Sequence, residues 1–177
     1  MMRVVFSAVV LACGLLLATH QPAFAENPAE SKKQVTKIIG QFQEAIKNKD
    51  TVGFMGLFLR EDVTWTATYT DASVERYNAS IKDTKEPAAT RVQAGGSPRK
   101  FIESIAKNKA PQSETFSNVR IDTDGEIAHV WFDYTFMIGT YKSAWGKESW
   151  QLVRTEAGWK ISAVTWSSEE NSVPPGA

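Results

Sequence analysis

Apolar side chains recur at helical spacing through Val35, Ile38, Ile39, Phe42, Ala45 and Ile46, which predicts an amphipathic helix over Lys32 to Asn48. Asn48-Lys49-Asp50 interrupts it. Asp50 is placed to cap a second, shorter helix, and Val52, Met55, Leu57, Phe58 and Leu59 give that helix a dense apolar side. The period then changes to two. Val63, Trp65, Ala67 and Tyr69 point one way while Thr64, Thr66 and Thr68 point the other, the pattern of a half-buried strand rich in β-forming residues. Asp71 to Gly96 has no clear period, although a short helix fits around Glu75 to Ile81. A polar segment of this length inside a small domain is expected to be functional, for example as a lid. Ser97-Pro98 marks the start of another helix, a capping hydroxyl followed by proline in the first turn. Phe101, Ile102, Ile105 and Ala106 form its buried side, and Lys107 to Pro111 ends it. Strands follow at Thr115 to Asp122, Glu126 to Ile138, Ser143 to Thr155 and Trp159 to Ser168, joined by the turns at Asp122-Thr123-Asp124-Gly125, Gly139 to Lys142 and Glu156-Ala157-Gly158.

Helices first and a meander of strands last imply an α+β domain with helices packed on one face of a curved antiparallel sheet. Before it, Arg3, the apolar run Val4 to Ala18, the break at Gln21-Pro22 and the small residues of Ala23-Phe24-Ala25 have the layout of a secretory signal. The apolar run is short for a membrane span. A faint lipoprotein-like box at Val10-Leu11-Ala12-Cys13-Gly14 is weaker, because apolar residues continue past it to Leu17. The expected organisation is a signal peptide over 1–25 cleaved after Ala25, one domain over 26–168 and a disordered polar tail over 169–177. A periplasmic or secreted protein with no stable membrane insertion after cleavage follows from that reading. Cys13, the only cysteine, would leave with the leader, which excludes disulfides and thiol chemistry in the remainder. Lys and Arg number 20, as do Asp and Glu. With no basic patch, nucleic acid is not an expected partner. Beyond the leader His129 is the sole histidine, which disfavours a metal site, and no cofactor is expected. Asn78-Ala79-Ser80 matches a glycosylation sequon by chance in a bacterial-type sequence.

Three stretches resemble the NTF2-like superfamily. They are Asp50 through Leu57-Phe58 with Glu61-Asp62-Val63-Thr64-Trp65, then Gly125 to Phe136, and Gly146 to Arg154 with Gly158-Trp159-Lys160-Ile161. In order and spacing they cover nearly all of the chain after the leader. The last two also resemble bacterial proteins labelled SnoaL-like or lumazine-binding-like. In those a His-Cys-Gly triplet precedes the Leu-Val strand, whereas this chain has Ala144-Trp145-Gly146. Only the glycine matches, so no role for an imidazole or thiol carries over. The resemblance implies a cystatin-like cone, a bent sheet wrapped around helices with a pocket open at one end. Isomerases, dehydratases, binders and assembly domains share that fold, so it does not choose a function.

On the strand Glu126 to Ile138, the set Ala128, Val130, Phe132, Tyr134 and Phe136 is more apolar than His129, Trp131, Asp133 and Thr135, and is assigned to the concave side. Trp65, Tyr69, Trp150, Leu152, Trp159 and Ile161 are expected to face inward as well, unless a bulge reverses a register. Trp65, Tyr69, Phe132, Tyr134, Trp150 and Trp159 are then the expected ligand-binding residues, either lining an aromatic pocket or simply filling the cone as core. Tyr134 is its polar tip. Catalysis would draw on Asp133, His129 or Tyr134. The inward face of this strand carries no carboxylate, so Asp133 and His129 would have to reach a pocket from the other side. Gly95-Gly96-Ser97 with Arg91, Arg99 and Lys100 is either an anion site at a helix start or a flexible loop and cap. Trp131 and Trp166 are assigned to the convex face, as anchors of a homodimer. Three readings stay open: binding of a small apolar or aromatic molecule, an isomerase- or dehydratase-type enzyme, and a dimerisation module.

Overall fold

The computed structural model describes residues 27–93 and 95–175; the leader and its cleavage site lie outside them. Among the described residues there are four helices: α1 (Pro28–Asn48), α2 (Thr51–Gly56), α3 (Asp71–Ile81) and α4 (Pro98–Lys107). The strands are β1 (Thr64–Tyr69), β2 (Val92–Gln93), β3 (Gln112–Thr123), β4 (Ile127–Ile138), β5 (Tyr141–Thr155) and β6 (Gly158–Glu170), in the sheet order β2-β1-β6-β5-β4-β3. All neighbours are antiparallel except β1 and β6, which run parallel. The long connection through α3, β2, α4 and β3 to β5 lets the chain return to β1 in that direction.

The caps anticipated from single residues are present. Asp50 accepts from the Gly53 amide at 2.8 Å and Ser97 from the Lys100 amide at 3.1 Å, each satisfying a donor that a helix start otherwise leaves unpaired. Lys49 closes α1 in the left-handed conformation, its φ being 56°. The aperiodic stretch contains more order than its sequence pattern shows. Thr70 caps α3, and Arg76 fixes it to the end of β6 through Glu169 and the Glu170 carbonyl, both at 2.6 Å.

The meander bends because it is bulged. Register shifts fall between Ser117 and Arg120, between Phe136 and Met137, and between Gln151 and Leu152. Each extra residue kinks a strand and increases its twist. The curved sheet wraps α1, and Val35, Phe42, Ile46, Phe54, Ile102, Phe132, Trp150 and Ile161 are almost wholly buried between them. Each such side chain contributes roughly 1.5–3 kcal/mol by leaving water. Phe42 is the hub, with ring centroids 4.7 Å from both Phe54 and Trp150.

Two expectations need correction. Residues 169 and 170 are not tail: β6 continues through them, because Glu169 and Glu170 are held by Arg76 and by the Ser73 hydroxyl. Further on, Asn171 bonds to Ser143 and Lys142, and the Val173 carbonyl accepts from Tyr141 at 2.8 Å. Trp166 is not convex. Gln151 pairs with Ala163 but Leu152 with Ile161, so Ser162 is an extra residue and the alternation reverses there. Val164, Trp166 and Ser168 therefore face inward.

Candidate functional site

Next to the packed core, on the inner side of the sheet, lies a cavity of 130 Å³. β1 supplies Trp65 and Tyr69, α4 supplies Phe101, β4 supplies Phe136 and Tyr134, and β6 supplies Trp166. The rings form a continuous wall: Trp65 stands 5.1 Å from Trp166 and 5.4 Å from Phe101, and Phe101 is 6.1 Å from Phe136. Tilted and edge-on pairs at these separations are the arrangements ring quadrupoles favour. Trp65 and Trp166 meet because they lie on neighbouring strands one register step apart, Trp65 beside Val164 and Ala67 beside Trp166.

Three carboxyl groups open into the same space. Glu114 of β3, Glu148 of β5 and Glu170 of β6 line it with Tyr134, Ala144 and Ser168. Glu114 is 7% exposed and Glu148 4%. Burial raises both well above the ordinary carboxylate range, and the charge of Glu148 raises Glu114 further. Their polar partners differ. Glu148 accepts the Trp150 indole N–H at 2.5 Å, which favours its ionised form. Among the described residues nothing hydrogen-bonds to the Glu114 carboxyl; Gln43 reaches only its backbone carbonyl, at 3.0 Å. The pair titrates as a unit: burial keeps both carboxyls protonated near neutrality, and Glu148, pushed up to about 8, is raised less than Glu114 and is the first to lose its proton. Glu170, raised by burial, accepts from Ser168 at 2.8 Å. Burial also raises the Tyr134 phenol, a hydrogen bond with Ser168 opposes this, and Glu114, Glu148 and Glu170 add to the rise. Near neutrality the cavity therefore offers neutral O–H donors, Glu114, Glu148 and Tyr134, inside an aromatic wall.

The residues expected from sequence fall into three places. Trp65, Tyr69 and Tyr134 line this cavity. Phe132, Trp150 and Trp159 are inward but fully packed beneath it, as core. His129 and Asp133 are on the outer face of the sheet. His129 Nε2 is 2.9 Å from the Ser149 hydroxyl and borders an open depression with Asp122 and Ser162. Asp133 is bound by Lys147 and, at 2.6 Å, by Asn118, which hold it ionised. Neither reaches the cone. The basic residues near Gly95-Gly96 are committed elsewhere: Arg99 to Glu61 at 2.9 Å, Lys100 to the Gly95 carbonyl at 2.8 Å, and Arg91 to Asp71 at 3.1 Å.

Glu114, Glu148 and Glu170 are the site residues that sequence reading missed. Glu114 and Glu148 each occupy an apolar-phase position of a strand, and that phase was the available signal. Glu170 lay beyond the assumed end of β6. Among the described residues no group of three or more His, Asp, Glu or Cys side chains is arranged to hold a metal ion. Nor is any helix among them long and apolar enough to cross a membrane.

The fold and site together define an α+β cone enclosing an aromatic, acid-bearing cavity. Solved structures of the same shape come from several bacteria. An NTF2-like protein of unknown function from Pseudomonas putida KT2440 is 11% identical, with 81% of this chain and 90% of that one covered at a TM-score of 0.57. An NTF2-like protein with a cystatin-like fold from Novosphingobium aromaticivorans is 11% identical, with 84% and 85% covered at 0.55. A protein of the NTF2-like family from Streptomyces avermitilis, proposed to be a dehydratase, is 15% identical, with 83% and 100% covered at 0.52. No protein-family model matches the chain, and no curated protein matches it. The chain therefore has the NTF2-like, cystatin-like fold.

Proposed function

We propose that this protein binds a small, flat, mostly apolar molecule bearing a hydrogen-bond acceptor, such as an aromatic ketone or aldehyde, in the cone cavity. The observation that carries the reading is Glu114: a buried carboxyl without a hydrogen-bond partner among the described residues, opening beside Tyr134 into an aromatic enclosure. The carboxyl faces cavity space rather than a protein partner, so as a neutral O–H donor it is free to bond an acceptor on a ligand. A space of 130 Å³ matches a single ring: an engineered cavity of about 150 Å³ takes benzene. Trp65 and Trp166 supply the readout. Titration with acetophenone should quench tryptophan fluorescence, and a folded Trp65→Ala/Tyr134→Phe variant should bind roughly tenfold or more weakly, the value of one buried hydrogen bond and a ring face. Unchanged affinity in that variant removes the site assignment.

A second reading, proton transfer on the bound molecule, is favoured by the unequal carboxyls. Two acids whose environments push their proton affinities apart can serve as donor and base. Here Glu148, the first of the two to lose its proton, is the base once ionised as pH approaches about 8, and Glu114 with Tyr134 are the donors. Tyr134 keeps the role considered from sequence, whereas Asp133 and His129 have none. Deuterium incorporation into the α-position of the bound ketone, lost in Glu148→Gln, tests it. Dimerisation is an independent proposal carried by the outer face, where Trp131 is 38% and Ile127 60% exposed. Export is likewise a proposal, resting on the leader-like residues 1–25. Protein purified from an exporting host should begin at Glu26, and an intact N-terminus would overturn it.

A further inference from the structure

A second cavity, of 740 Å³, adjoins the first. Its floor is the end of β6, one wall is α3 and the other is the strap 87–93. Its lining is chiefly apolar, with Val74, Tyr77, Pro87, Ala89 and Val92 prominent. Tyr69 and Glu170 border both cavities, so these two side chains are what stands between the ring-sized chamber and the larger one, at a junction called the neck below.

The walls are fastened rather than loosely laid. Asn78 of α3 grips the strap twice: its Oδ1 accepts from the Ala89 amide at 2.8 Å and its Nδ2 donates to the Ala89 carbonyl at 3.2 Å. The strap is tied to the sheet by the Tyr69 amide, which donates to the Arg91 carbonyl at 2.7 Å, and by the pairing of β2 with β1. At the neck the Tyr69 hydroxyl donates to Gln93 at 3.3 Å. On the far side, Arg76 holds α3 against Glu169 and the Glu170 backbone. These bonds keep apolar side chains apart where, unsupported, they would collapse onto one another. Tyr77 and Val92 remain 45% and 55% exposed on this rim.

An inner chamber of benzene size, a polar neck and an outer apolar chamber several times larger form a bipartite site. We infer that the ligand is elongated, with a ring and its acceptor atom in the cone and an uncharged apolar tail, an alkyl chain or second ring, lodged between α3 and the strap. This rests on the ligand-binding reading above and adds to it the class of molecule. Glu170, raised by burial and facing the neck, disfavours an anionic linker at that point.

The test is a series of 4-alkyl acetophenones of increasing chain length, titrated by tryptophan fluorescence against the wild-type protein and two cavity-filling variants, Ala89→Trp and Val92→Trp. Both positions lie on the strap away from the core, and circular dichroism confirms folding before titration. Wild-type affinity should rise roughly fourfold per added methylene. Either variant should bind acetophenone within twofold of wild type yet lose the rise with chain length. Acetophenone binding with no gain along the series overturns the bipartite site and leaves the ring-binding reading standing. A gain that persists in both filled variants also overturns it, since the tail would lie elsewhere. Failure of the whole series to bind the wild-type protein overturns the ring-binding reading itself, and the bipartite site with it.

Discussion

Glu114 and Glu148 carry consequences for stability as well as for binding. Each binds its proton more tightly in the folded chain than the ordinary value of 4.5. Between that value and the raised one the native state holds more protons than the unfolded state, so their contribution favours folding at acidic pH and is lost as pH rises. Carboxylates held below the ordinary range, such as Asp133 and Glu169, act in the opposite sense at lower pH, and solvent screens them. Urea unfolding should therefore show stability declining as pH rises from about 5 through about 8, and the Glu114→Gln/Glu148→Gln variant should flatten that decline. A wild-type protein with no such decline would mean that the two acids are not kept neutral by burial. Gly146 makes a second residue-level point. A Cβ there would come within 2.0 Å of the Ser167 carbonyl oxygen, so Gly146→Ala must push β5 from β6 or twist its backbone. A loss of about 2 kcal/mol or more is expected by chemical denaturation. A loss near zero would show that the strands separate there without cost.

α3 is the element whose existence owes least to its own sequence. It has a weakly apolar face, only Ser73 is buried within it, and it is too short to persist alone in water. Its order comes from the Thr70 cap, from Arg76 on Glu169, and from Asn78 on the strap. Arg76→Ala should accordingly raise hydrogen exchange across 71–81 and the strap while leaving β4 and β5 protected, because local opening follows local contacts. Uniform exchange would show that α3 is held by something other than this ion pair. α4 differs, since Ile102 and Ile105 are fully buried and its period alone predicts it. The bulge at Ser162 acts on a whole strand: one added residue moves Trp166 from the solvent side into the cavity and, with it, Ser168 and Glu170.

For the molecule as a whole, the outer sheet face is where assembly would act. Trp131→Ala should shift a dimer toward monomer in analytical ultracentrifugation, since aromatic anchors carry a large share of interface energy. A wild-type monomer at micromolar concentration would end that proposal. Periodicity sufficed for α1, α2, α4 and the meander, because helix and strand repeats record which face is buried. The inward assignment of Trp65, Tyr69 and Tyr134 was legible in the same way. The alternation puts Glu114 and Glu148 in the apolar phase, but hydropathy could not reveal that they are buried together as acids: a carboxyl reads as polar in one dimension, and only the closed cone makes it neutral. It could not place Trp166 either, because a bulge is decided by how neighbouring strands pair. Nor could it separate the rings that line the cavity from Phe132, Trp150 and Trp159 beneath it, which differ only in what stands against them. The chain's alternations set which elements form and which faces turn inward; the packing of one element on another decided where the cone is filled, where it is hollow and which acids meet there.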